Sequence, residues 1–291
     1  VSDVTQANTM NAEQQPILKD KNLSPESYVA AARQAREQGQ LILAHTMLRC
    51  ACTLGADVSR GELAETLLTA DQLLGQAQTY QRNMRVVDLI EAHFGANPIS
   101  VVDVGGNDGI FSHMIPEKQY FLCEPSVNNM LPHELVASGR IFDVCVSIHV
   151  FEHIPDEDKH AFFATLVKLA RRGIVLCNPT DTGTAVQRQK FLLEVFGPWN
   201  WILEHLECGT PTMPLFEELA AAHDLELHTY PSGNVFLSIA VLAMEHFSGA
   251  TCDPAMLDKC QKLVRYINEH RYLQDSAECP RDYAFVFVKR H

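Results

Sequence analysis

Three stretches carry the residue types best suited to chemistry. The first is Val101 to Ser112, V-V-D-V-G-G-N-D-G-I-F-S, where a β-branched run gives way to Gly105, Gly106 and Gly109. This pattern reads as a buried strand, a tight turn and a helix start. Glycines there admit close approach of the backbone to a ligand, and the free amides of a helix start favour an anionic group. The second is Glu124, about 20 residues beyond Asp103 at the end of the apolar run Tyr120 to Cys123. An acid at that distance suits the paired hydroxyls of a ribose. Loop and acid together imply a nucleoside ligand. The third is a set of histidines, His149 and His153 with His205 further on. An imidazole titrates near neutral pH and can take a proton from a reacting group.

The glycine spacing separates nucleoside classes. Counted from Gly105, the dinucleotide pattern G-x-G-x-x-G fails, because Asn107 and Ile110 stand at its second and third glycine places. The stretch instead resembles the first motif of the class I S-adenosylmethionine-dependent methyltransferases, roughly D-x-G-x-G-x-G. Asp103, Gly105 and Gly109 match it, and Asn107 replaces the middle glycine. Asn tolerates the left-handed conformation such a turn needs. Phe142 to Asp156, F-D-V-C-V-S-I-H-V-F-E-H-I-P-D, resembles the fourth-strand region of the small-molecule methyltransferases, where F-D-V-V leads into V-L-E-H-V-P-D. The resemblance extends over about Arg82 to Pro231.

It implies an α/β, Rossmann-like methyltransferase fold with a mostly parallel seven-stranded sheet and an antiparallel last strand. The implied cofactor is S-adenosylmethionine. Asp103, Gly105, Gly106, Asn107 and Gly109 would surround its methionine half, Glu124 would hold its ribose, and Met130 with Leu131 would form a wall for its adenine. His149, at the end of the fourth strand, would stand beside it. His149 and His153 are the candidate general bases and His205 a third; the Glu152-His153 pair has the alternative role of closing the turn by hydrogen bonds. No metal site is expected, since His149 and His153 do not share one helix. The acceptor implied is a small or sugar-like molecule. A non-catalytic binding or scaffold protein, using the N-terminal helices as its partner surface, stays open as the other class.

The elements that must position these residues follow from periodicity and breakers. Residues 1–23 are polar and aperiodic and read as a flexible tail. Ser24-Pro25-Glu26 starts a helical region that runs to 95, with breaks near Gly39 and Gly55 to Arg60. Its Tyr80, Arg82 and Arg85 are candidates to reach a ligand. The methyltransferase-like domain spans 96–291. Between Glu124 and Phe142 the chain is too short for the helix, third strand and loop usually found there. Gly173 to Asn178, Leu225 to Tyr230 and Tyr283 to Lys289 read as further strands. Glu204 to Thr212 reads as a polar loop. Two helical runs at about 234–273 look like an insertion able to cover the acceptor.

Composition bounds the function. The 291 residues are 46% hydrophobic, enough for a full core. A net charge of −13, with 23 basic residues against 36 acidic ones, argues against general nucleic-acid binding. An N-P-P-Y-type sequence is missing after the fourth strand, which further disfavours a nucleic-acid methyltransferase. No run approaches the length of a membrane span, and the N-terminus lacks a signal pattern, so cytoplasmic residence is expected. Nine cysteines, several in buried strands, fit reduced thiols.

Overall fold

Val101, Val102, Val104, Val144, Val146, Ile174 and Val175 are all buried, as strands must be when helices cover both faces of their sheet. The computed structural model describes residues 17–18, 23–95, 99–183, 185–251, 253–270 and 278–290. Most of the expected tail at 1–23 lies outside the described residues, as do 252 and 271–273 of the expected insertion.

Five helices precede the sheet: α1 (Pro25–Glu37), α2 (Leu41–Leu54), α3 (Arg60–Thr66), α4 (Ala70–Leu74) and α5 (Ala77–Phe94). Ser24 caps α1 through a hydrogen bond from the Ser27 amide, with Pro25 at the first helical position. Gly55, in the left-handed region, ends α2. The strands β1 (Ser100–Val104) and β2 (Gln119–Cys123) follow, then two short helices, α6 (Pro125–Asn128) and α7 (Pro132–Ala137). After β3 (Phe142–Ile148) come α8 (Lys159–Leu169) and β4 (Ala170–Asn178). Three helices, α9 (Ala185–Phe196), α10 (Asn200–Cys208) and α11 (Met213–Ala222), lead to β5 (Leu225–Ser232). Last come α12 (Val235–Thr251), α13 (Pro254–Glu269) and β6 (Asp282–Lys289).

The sheet has six strands in the order β2-β1-β3-β4-β6-β5. β1 to β4 are parallel, and β6 lies antiparallel between β4 and β5. The α/β fold with an antiparallel last strand is therefore present, with six strands among the described residues in place of the expected seven. The stretch between β2 and β3 makes only α6 and α7, whose prolines at the first turn start helices rather than strands.

This leaves β2 at the edge, where unpaired amides and carbonyls invite pairing with another chain. Helix α2 covers them. The Thr53 hydroxyl donates to the Tyr120 carbonyl at 2.7 Å and accepts from the Tyr120 amide at 3.1 Å, and the Leu122 amide donates to Cys50 Sγ at 3.2 Å. Helix α2 also fills a second gap. The glycine loop was expected to open a helix, but Ile110–His113 forms a single 3-10 turn, and Pro116 stands in the short return to β2. The carbonyls that a helix would have paired are taken by the buried Arg49 guanidinium, which donates to Ser112, Ile115 and Lys118. One core joins the N-terminal helices to the sheet: Tyr28, Met47, Cys50, Val86 and Ile90 pack with the strand residues. Helices α12 and α13 close around a smaller cluster of Val241, Cys260, Val264 and Ile267.

Candidate active site

The carboxyl ends of β1, β2 and β3 bring the glycine loop, Glu124 and His149 to one rim, where ligands of open α/β sheets bind. Because β6 is antiparallel, its first residue, Asp282, reaches the same rim beside Ser232 and close to His149. A cavity of about 400 Å³ lined by Ser100, Arg140 and Asp143 opens at the other end of the strands and contains none of these residues.

The loop is shaped by sterics. Gly105 and Gly109 hold φ of +78°, and Asn107 takes φ of +52° in the left-handed conformation expected of it. Any Cβ at Gly106 would overlap the Asp103 carboxylate, and one at Gly105 would overlap Val150. The loop therefore presents backbone, not side chains. Thr46 of α2 braces it from behind, its hydroxyl donating to the carbonyls of Asp108 and Gly109 at 3.0 and 3.1 Å.

Asp103 is buried, and Oδ2 accepts from the Tyr120 hydroxyl at 2.9 Å while Oδ1 makes no hydrogen bond with a described residue. Burial pushes its carboxyl up to about 7 against the pull of that hydroxyl. Glu124 Oε2 accepts from the Asn107 amide at 3.2 Å, and Oε1 accepts from the Ser126 amide and hydroxyl at 3.0 and 2.7 Å. Those bonds aim the carboxylate and tie it to the loop. Beyond α6, Met130 is buried in the main core and Leu131 is 36% exposed. Leu131 is thus the one of the pair that offers free apolar surface.

His149 directly follows β3 with φ of +56°, a conformation uncommon outside glycine and one that concentrates at functional sites. Its Nε2 lies 3.1 Å from Asp282 Oδ2 and its Nδ1 lies 3.3 Å from Glu152 Oε1. Burial disfavours a charged Asp282, but the adjacent Arg281 guanidinium at 2.6 Å and His149 outweigh it and hold the carboxyl well below the usual carboxylate range. An ionised Asp282 accepts Nε2–H, so the tautomer leaves Nδ1 as the lone pair. Burial lowers His149 to about 4, so the ring is neutral at pH 7. Burial raises the wholly enclosed Glu152 to about 8, and neither of its oxygens makes a hydrogen bond with a described residue.

Further polar groups face the same region. Arg82 of α5 lies in the field of Arg281, Asp282 and Glu152, with its Nε unpaired. Asn178 ends β4 fully buried, and neither side-chain atom has a described partner. Arg85 instead donates to the Pro231 carbonyl and lies over the Tyr230 ring. His153 turns away from His149: its Nδ1 is 2.8 Å from Glu204 Oε2 and its Nε2 is 3.1 Å from His205 Nε2. The His153 amide closes the turn by donating to the Val150 carbonyl at 2.9 Å, while the Glu152 side chain is buried and that of His153 meets α10. His205 sits on that helix, not in a loop: Trp201, Ile202 and His205 face the interior at helical spacing. Asp282 was not among the residues expected at the site; the charge pair Arg281-Asp282 just before the last strand was the signal available.

The sequence model of the family described as Methyltransferase domain matches residues 76–228, more than half of the chain, from the start of α5 into β5. No curated protein matches by sequence. Solved structures with a similar fold include the plantazolicin methyltransferase BpumL in complex with SAH, 11% identical, with 90% of this chain and 99% of that chain covered at a TM-score of 0.45. A SAM-dependent methyltransferase from Archaeoglobus fulgidus is 15% identical over 71% of this chain and 92% of that one, TM-score 0.44. The cyclopropane synthase MmaA2 from Mycobacterium tuberculosis is 13% identical over 71% and 84%, TM-score 0.42.

Proposed function

Because the chain belongs to the methyltransferase domain family, as an S-adenosylmethionine-dependent enzyme of class I, we propose that it methylates a small polar acceptor, hydroxyl-bearing and sugar-like in character, held at the rim between His149, Asn178 and Arg82. The observation that carries this reading is the concentration of buried polar groups there, with both side-chain atoms of Asn178 and Arg82 Nε lacking described partners. Unpaired buried polar atoms are costly, and a polar ligand satisfies them.

The residues fit the cofactor. The loop cannot carry side chains at Gly105 and Gly106, Glu124 is preset by the Asn107 amide, and the unpaired Asp103 Oδ1 offers an acceptor beside the loop. In this reading Asp103, Gly105, Gly106, Asn107 and Gly109 take the methionine half, Glu124 the ribose and Leu131, backed by Met130, the adenine. Bound there, S-adenosylmethionine supplies an electrophilic sulfonium methyl. The chain has to orient the acceptor in line with it and keep water away. His149 takes the acceptor's proton at Nδ1, while Asp282 fixes Nε2–H and stabilises the imidazolium that forms, the division of labour found in a base–orienter pair. His153, engaged with α10, has no part in that transfer.

The test is titration calorimetry of ligand-free protein with S-adenosylmethionine and, separately, NADH. Binding of the former alone is expected; binding of neither by folded protein would sink the reading. With an acceptor in hand, His149→Ala should leave cofactor affinity nearly unchanged and slow turnover by about 100-fold or more, whereas equal loss of both would make His149 a structural residue.

A further inference from the structure

Outside the proton-transfer pair, one group of side chains is arranged for a ligand of another kind. Glu152, His153 and His205 each direct one ligand atom into a region where all three atoms lie within 4.8 Å of one another. His153 Nε2 and His205 Nε2 are 3.1 Å apart, and His205 Nε2 is 3.9 Å from Glu152 Oε1. Two donors bound about 2.1 Å from a single ion stand roughly 3 to 3.4 Å apart, so the imidazole pair is already at ligand spacing. The spacing of His149 and His153 in the chain gave no sign of this, because the second imidazole arrives from α10.

The partners behind the rings matter as much as the distance. The Glu204 carboxylate at 2.8 Å accepts from His153 Nδ1–H, which leaves the Nε2 of a neutral ring as a lone pair. Behind His205, the Gln189 amide lies 3.4 Å from Nδ1 and 3.2 Å from the Thr210 hydroxyl, while the buried Gln189 Oε1 has no partner. With the amide turned over, that oxygen accepts from His205 Nδ1–H and from the Thr210 hydroxyl, and the amide nitrogen takes the place without a described partner. Both Nε2 lone pairs then face one point. Two lone pairs at that distance repel unless a proton or a cation lies between them. Glu152, fully buried with neither oxygen hydrogen-bonded to a described residue, supplies an anionic ligand to the same point once a cation offsets the cost of its ionisation. A carboxylate behind one ligating imidazole and an amide oxygen behind the other are the outer partners such ligands use.

We propose that Glu152, His153 and His205 form a site for one divalent first-row transition ion. Imidazole donors select the zinc, cobalt and iron(II) class over magnesium and calcium, which prefer all-oxygen shells. Three protein ligands leave coordination positions open. The inference concerns binding and does not depend on the methyl-transfer reading.

The experiment is titration of chelator-treated, full-length protein with cobalt(II), followed by its visible absorption, with zinc as competitor. One equivalent should bind with a dissociation constant of about micromolar or below, and zinc should displace it. His153→Ala and His205→Ala should each weaken binding by at least about tenfold, while His160→Ala, at an exposed residue paired with Glu218, should not. Circular dichroism checks folding; His153 is partly exposed, so His153→Ala carries the test if His205→Ala does not fold. Absence of saturable binding by the folded protein, or equal binding by His153→Ala, would overturn the site. S-adenosylmethionine titration of the same preparations separates the two readings: cobalt bound without it leaves the site standing and removes the transfer reaction, and the converse removes the site.

Discussion

Asp103 makes the sharpest test of how the loop is built. Its carboxyl is buried at the end of β1, and burial raises it from an ordinary 3.8 to about 7. Below the unfolded value both states are protonated and the group is neutral with respect to folding. Between 3.8 and 7 the unfolded chain ionises while the folded one keeps its proton, so stability falls by about 1.4 kcal/mol per pH unit. Over that window the loss is about 4 kcal/mol, and above about pH 7 it levels off. Asp103→Asn keeps the shape and still accepts from the Tyr120 hydroxyl, but it cannot ionise. Urea unfolding of both proteins from about pH 4.5 to about pH 8 should show the variant gaining on the parent across the window, by roughly 3 to 4 kcal/mol in total. The difference between the two cancels every other titrating group not coupled to Asp103. A difference constant with pH would show that the carboxyl is ionised in the folded protein and that the loop is held by a charge, contrary to the geometry.

Three further outcomes follow from the same contacts. Glu124→Ala should weaken S-adenosylmethionine binding more than about tenfold, or about 1.4 kcal/mol, by calorimetry; undiminished affinity in a folded variant removes Glu124 from the ribose. Gly106→Ala forces a methyl into the Asp103 carboxylate and should cost about 1 to 3 kcal/mol in urea unfolding along with cofactor affinity, while Gly61→Ala in α3, where the added methyl meets only Ser59 Oγ at an ordinary 3.8 Å, should leave both nearly unchanged. Thr53→Val leaves the Tyr120 amide and carbonyl at the strand edge without their partner and should cost about 1 to 3 kcal/mol without moving cofactor affinity.

What could be read along the chain was whatever declares itself locally. β-branched runs marked β1, β3 and β4, and the left-handed turn at Asn107 followed from Asn standing where a glycine was wanted. The shortness of the segment before β3 signalled trouble but not its form. Contacts that join distant segments had no local signature: Thr46 to Gly109, His149 to Asp282 and His153 to His205 each link separate elements. Periodicity places a residue on a face and says nothing of which other face will meet it. For that reason Glu124 and His149 were legible as candidates for the rim, whereas Asp282 and the meeting of His153 with His205 emerged only in three dimensions.

The part played by α2 shows what the missing elements required. A glycine loop followed by one 3-10 turn leaves carbonyls at Ser112, Ile115 and Lys118 that no helix pairs, and a sheet without a third strand leaves the outer edge of β2 open. Both faults lie on the same side of the molecule, beside β2. One helix therefore repairs both, with Thr46 and Arg49 turned to the loop and Cys50 and Thr53 turned to the strand edge. Residues 46, 49, 50 and 53 fall at the three- and four-residue spacing that gathers side chains on one helical face. The glycine loop is consequently braced by residues that precede β1, outside the matched stretch that begins at 76. In the proposed reading the N-terminal helices are part of the cofactor site: they supply the polar groups that hold the loop's backbone in the shape that Gly105, Gly106 and Gly109 permit.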